Sequence, residues 1–187
     1  SNDGGTTTVA VVSGHTVTIA DSSSNTDPGD TATYYFTITN TGNADASFDY
    51  TTTGSPATGS TTLGMGNSTS VAVSHTVGSA SAAGDESTVT FTSGSESAEA
   101  TTTTNQIYGV TIFLQSTTDN GGISPGETFN AVYTVKNTGN GADTVTIDFN
   151  ADWLTGASGT THNLAGFGGT GTATATLTAP SDAASDS

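Results

Sequence analysis

The sequence has almost no basic residues. Lys136 is the only Lys or Arg, against 17 Asp and Glu, and the formal charge is −16. Nucleic acids and anionic membrane surfaces are held through clustered Lys and Arg, so this balance argues against both as partners. Cysteine is absent, which removes disulfides and thiolate metal sites and leaves the redox compartment open. No apolar run approaches the roughly 20 residues of a membrane-spanning helix, so no membrane insertion is expected. Apolar stripes at helical spacing are missing too. What is present is Thr, Ser, Gly, Asn and Val in period-two alternation, the pattern of half-buried strands. A chain that starts with Ser rather than Met reads as processed and exported.

The chain repeats itself. "TITNTGN" at 37–43 returns as "TVKNTGN" at 134–140. Ala32, Tyr34, Phe36 and Ile38 fall on one face of a strand, and Phe129, Ala131, Tyr133 and Val135 are their counterparts. The bulky residue changes place between the copies, which keeps core volume roughly constant. Ala46, Phe48 and Tyr50 match Val145, Ile147 and Phe149 after a two-residue insertion. "LGMGNSTSVAVSHTV" matches "AGFGGTGTATATLTA", with Met65 opposite Phe167 and Val71, Val73 and His75 opposite Ala173, Ala175 and Leu177. Short alternating strands with Gly, Asn and Pro punctuation describe an all-β chain of two tandem antiparallel sandwiches. The expected division is an N-terminal strand at 1–13, a sandwich at 14–104 and a second, incomplete sandwich at 105–187.

Two stretches, "PGDTATYYFTITNTGN" at 28–43 and "PGETFNAVYTVKNTGN" at 125–140, resemble the CARDB-like, Ig-like repeat domains of bacterial and archaeal cell-surface proteins. The Pro-Gly-Asp/Glu-Thr turn, the alternating strand and the Asn-Thr-Gly corner carry the likeness. It implies seven-stranded Ig-like sandwiches, an extracellular setting and no catalysis. Spacers, adhesins and filament or wall components are the roles that go with such repeats.

The chemistry-bearing residues are sparse. His75 faces inward with Leu177 as its counterpart, His15 stands at a module junction and His162 lies in the loop "SGTTHNLAG". They have no zinc-ligand spacing, and no Gly-x-Ser-x-Gly elbow occurs, so the chain is not read as an enzyme. Asp27, Asp30, Asp119 and Glu127 gather in loops and are the candidates for calcium. Without an EF-hand pattern, solvated turn residues are the simpler reading, and no other cofactor is implied. Trp153, the only Trp, is a candidate for stacking on a sugar ring, against the plainer role of packing over a sandwich rim. Lys136 alternates outward, which argues against an isopeptide crosslink, since that needs a buried amine. Asn67 begins the one N-glycosylation sequon, Asn67-Ser68-Thr69.

The ends of the two copies differ. After Val77 the first copy continues into strands carrying Val89 and Phe91, whereas after Ala179 the second has only "PSDAASDS". At the other end "TTTVAVV", Thr6, Thr7, Thr8, Val9, Ala10, Val11 and Val12, reads as a spare strand matching "EATTTTN" at 99–105. Either the sequence is a window of a longer array, or this strand completes the second sandwich of a neighbouring copy, with Val9 and Val11 inward. The functional expectation is a structural subunit of an extracellular filament, pilus-like fibre or surface layer, a head-to-tail homopolymer built by strand complementation. A carbohydrate- or cell-wall-binding accessory module, or a spacer of a larger surface protein with glycans as partners, is the alternative.

Overall fold

A computed structural model describes residues 7–119 and 122–184, which form fourteen strands and no helix. The chain divides into two compact units, residues 1–105 and 106–187.

In the first unit, β1 (His15–Ile19), β3 (Thr31–Asn40) and β6 (Ser68–Thr76) form one sheet in the order β1-β3-β6. The other sheet holds β2 (Ser23–Thr26), β8 (Glu96–Thr104), β7 (Glu86–Ser93), β4 (Ala46–Thr52) and β5 (Thr58–Leu63), in that spatial order. Alternation along β3 buries Ala32, Tyr34, Phe36 and Ile38 against Phe48, Val89, Phe91 and Ala100 of the facing sheet. Phe36 and Phe91 stack with centroids 5.0 Å apart. The Tyr34 hydroxyl reaches across to the Thr101 carbonyl at 2.9 Å and the Thr102 hydroxyl at 2.7 Å, tying the two sheets together. The first strand is split between the sheets. β1 pairs antiparallel with β3 as far as Ile19, and the chain then crosses so that β2 runs parallel to β8, from Ser23 opposite Thr101 to Thr26 opposite Thr104.

In the second unit, β9 (Val110–Thr117), β10 (Thr128–Asn137), β14 (Thr170–Thr178) and β12 (Leu154–Ser158) form a sheet in the order β12-β14-β10-β9. β11 (Asp143–Thr146) and β13 (Thr161–Leu164) form a separate pair. Phe129 lies opposite Leu177 and Tyr133 opposite Ala173, just as Ala32 lies opposite His75 and Phe36 opposite Val71, so these inward faces correspond as expected. One register differs from the sequence reading. Asp143 pairs with Leu164 as Ala46 pairs with Leu63, which puts Val145 in the place of Phe48 without an insertion. The error was two residues, and a slip of two leaves every side chain on its own face.

The repeated "NTGN" is a hydrogen-bonded corner. Asn40 Nδ2 donates to the Ala44 and Leu63 carbonyls, both at 2.9 Å, and its Oδ1 accepts from the Gly42 N–H at 2.9 Å. Asn137 does the same with Gly141 (2.9 Å), Leu164 (3.3 Å) and Gly139 (2.8 Å). Asn43 Oδ1 accepts from the Val12 N–H and Asn140 Oδ1 from the Ile107 N–H, both at 2.7 Å. The N–H of Thr41 bonds the Gly14 carbonyl, and that of Thr138 bonds the Gly109 carbonyl. Gly is required inside this clasp, because a Cβ on Gly42 or Gly139 would meet the Val12 or Ile107 carbonyl oxygen. Residues Ala10–Gly14 are therefore held on the first unit as Asn105–Gly109 of the sequence lead onto the second.

Two expectations are corrected here. Thr7–Val12 belong to no sheet; the segment is irregular, and Val9 is 82% exposed. Thr6 lies outside the described residues. The clasp also aligns Val12 with Ile107, so "TTTV" at 6–9 matches "TTTT" at 101–104 rather than the earlier residues of β8. Val11 then corresponds to Gln106, beyond the strand.

The Pro-Gly turns correspond as closely. Gly29 and Gly126 have φ of 89° and 79°, the left-handed values a type II turn needs after Pro. Their N–H groups bond the carbonyls of Val77 and Ala179, whose own N–H groups bond Asp30 and Glu127 in return. Replacing Asn40 or Asn137 by Ala leaves two carbonyls of each corner without a donor. Each substitution should cost about 3 kcal/mol, read as the loss in chemical denaturation of the unit that carries it.

Candidate functional site, an open sheet face

Ile112 pairs with Val135 and Leu114 with Tyr133 across β10, so both point to the inner side of the second unit. They are nevertheless 48% and 53% exposed, whereas Val17, which pairs with Ile38 as Ile112 pairs with Val135, is 9% exposed. The cause is the missing cover. In the first unit β7 and β8 contribute Val89, Phe91 and Ala100 to the core, and no counterparts of these strands occur among the described residues. The second core consists of Val135, Ile147, Leu164 and Ala173, with Val145 and Phe149 packed against it. Covering Ile112 and Leu114 would stabilise the unit by about 1 kcal/mol each, roughly half the value for a fully buried side chain.

The edges are open as well. Among the described residues β13 is the only strand paired with β11. Beside β11 runs a groove of about 380 Å³, lined by Tyr108, Gly109, Val110 and Asp143–Thr146. In the first unit the corresponding place holds the turn between β7 and β8. There His15, the counterpart of Val110, donates from Nε2 to the Ser93 carbonyl at 2.8 Å and packs on Phe48, the counterpart of Val145, at 4.7 Å. β9 also behaves unlike β1. It remains on β10 past a bulge, pairing Ser116 with Val132 and Thr117 with Ala131, where the first unit's chain has already crossed to β8.

The other expected site residues are scattered. Asn67 is exposed in the turn entering β6, as its sequon requires for modification. Trp153 is 43% exposed at the start of β12, and its carbonyl accepts from the Thr178 N–H. Asp27 accepts from Asn105 Nδ2, 78 residues away, while Asp119 accepts from the Thr117 hydroxyl and Glu127 from the Ser124 N–H in local turn contacts; Asp30 is exposed. Among the described residues no three His, Asp or Glu come together in a group able to hold a metal ion. Lys136 is exposed on the outer face of β10, away from the buried setting an isopeptide bond needs. His75 is half-buried and bonds the Ser87 hydroxyl at 2.7 Å.

Two histidines sit differently from their sequence reading. His15 begins β1 inside the first unit and is not at a junction. His162 belongs to β13, opposite Val145, and not to a loop. It turns inward over Gly171, with Nε2 buried and without a hydrogen-bond partner. A four-residue strand between Gly-rich stretches gave no periodic signal by which to find it.

The open face separates two otherwise equivalent aromatics. Phe36 is fully buried, while Tyr133 is half-buried and leans on Phe149 at 5.4 Å. Phe36→Ala should cost about 3 to 5 kcal/mol and Tyr133→Ala less than about 2 in the dispersed chain, measured by denaturant unfolding. Equal costs would mean that the face is already covered.

No protein-family model matches the chain, and comparison with curated proteins found no match.

Proposed function

We propose that the protein is a structural subunit of an extracellular fibre or surface layer, in which the N-terminal segment of one copy completes the second unit of the next. The observation that carries this reading is the exposed inner face of β9 with its unpaired neighbouring edges, in a unit whose sister copy is closed by two further strands. Exposed apolar sheet faces and free edges are sites of association. A strand added in trans supplies main-chain hydrogen bonds and side chains for the core at once. The segment before the clasp is the fitting donor, since Thr6, Thr7 and Thr8 repeat Thr101, Thr102 and Thr103 of β8. Donor and acceptor surfaces are different patches of one chain, so the contact is heterologous and propagates. The likeness to CARDB-like surface repeats and the lack of bases favour a cell-surface setting.

Removing residues 1–9 while keeping the clasp at Ala10–Gly14 should abolish fibres in negative-stain micrographs and leave the unfolding of the first unit unchanged. Fibres that persist would remove the N-terminal segment from the assembly. Copies carrying −16 each repel one another, so higher ionic strength should lower the concentration at which fibres sediment.

A further inference from the structure

We infer that the incoming segment takes the place of β8 and not that of β7, with Val9 beside Ile123, and that the strand at β9 is rearranged by its arrival. This rests on the assembly proposed above and fixes its register. The clasp supplies the alignment. Val12 and Ile107 make the same bonds with Asn43 and Asn140, so Val9 stands to Val12 as Thr104 stands to Ile107. The Pro-Gly turns supply the other half. Asp30 and Glu127 donate to the carbonyls of Asp27 and Ser124 in matching turns, so Ile123 corresponds to Thr26. In the first unit Thr26 lies opposite Thr104 in a parallel ladder, and the Asn105 N–H continues it to the Thr26 carbonyl at 2.9 Å.

Facing follows from the same alignment. Thr102 and Thr104 are buried, so Thr7 and Val9 turn into the acceptor, while Thr8 faces out. Val9 thereby leaves an exposed position for a covered one, beside an inner face that already holds Ile112 and Leu114. The Thr7 site differs from its model in one respect. Thr102 bonds the Tyr34 hydroxyl, but Ala131 pairs with Ala175 as Tyr34 pairs with Val73, so no phenol awaits Thr7. In the first unit the chain reaches that ladder after leaving β3 at Ile19, whereas β9 stays on β10 as far as Thr117. Ser116 and Thr117 must therefore release Val132 and Ala131, as the first unit's chain leaves β3 after Ile19.

The absence of native cysteine allows a clean test with engineered pairs. A chain carrying Val9→Cys is mixed with one carrying Ile123→Cys, assembled under reducing conditions and then oxidised. Neighbouring strand positions lie within disulfide reach, so this pair should give at least tenfold more covalent dimer on a non-reducing gel than Ala10→Cys or Val11→Cys mixed with Ile123→Cys. Fibres must form from each mixture before oxidation, which shows that both variants fold and assemble. Fibres crosslinked through Val11→Cys, or through none of the three, would overturn the register and leave the assembly standing. A wild-type chain that forms no fibre in any salt condition would remove the assembly and the register together. Thr7→Val gives an independent readout, since an apolar site facing Ala131 should lower the fibre-forming concentration several-fold; a several-fold rise would place Thr7 outward and overturn the facing.

Discussion

Each unit depends on a buried asparagine. Asn40 and Asn137 sit where a long inner strand ends and the chain must turn to build the opposite sheet, leaving carbonyls that no ladder satisfies. One amide side chain donates to two of them, one in the corner itself and one at the end of a distant strand, and accepts from the glycine two residues on. Buried polar groups without partners are costly, so this side chain fixes where the corner lies. Strand facing then follows from alternation. The same corner presents the neighbouring Asn43 or Asn140 to the incoming chain, and so couples the entry of the polypeptide to the interior of the sandwich.

With corners so alike, the contrast between the units lies in their covers. The first has a closed core of residues drawn from both sheets. The second keeps the same inner sheet, register for register, and leaves it half-roofed. Its response is local: β9 extends along β10, β12 adds itself to the far side of β14, and apolar side chains on β9 stay in contact with water. Where the first unit has only an isolated bridge between Ser55 and Ser74, the second builds a full strand at β12. Among the described residues this sheet is faced by no strands like β7 and β8, and its backbone groups take whatever ladder is within reach.

Much of this was legible in the sequence. Period-two alternation gave the inward set on β3 and β10, and repetition paired Met65 with Phe167 in two exposed turn tips. What escaped was register. Facing is set by a period of two, so the insertion placed before Val145 and the misalignment of the N-terminal segment both erred by two residues and kept every side chain on its face. The bonds that settle register join Asn side chains to the backbone of distant segments, and no pattern of apolar residues records them. The crossing between β1 and β2 was hidden for a similar reason: the polar run "DSSSNT" reads as a loop, yet its last four residues pair with Thr101–Thr104. Thr26 is buried there and Ser24 half-buried, and hydrophobicity does not report that.

Lys136 has a further consequence. It is the only position at which a protease requiring a basic residue could cleave, and it sits near the end of β10, paired on one side with Thr111 and on the other with Thr170. A protease cleft takes its substrate as a free extended strand, so the peptide bond after Lys136 becomes available only when β10 leaves both neighbours. Asn137, the very next residue, anchors the corner, and that opening would unmake the bonds on which the second unit depends. Resistance to digestion by trypsin-like enzymes is thus set by the opening of one central strand, and the rest of the chain offers such enzymes nothing to cut.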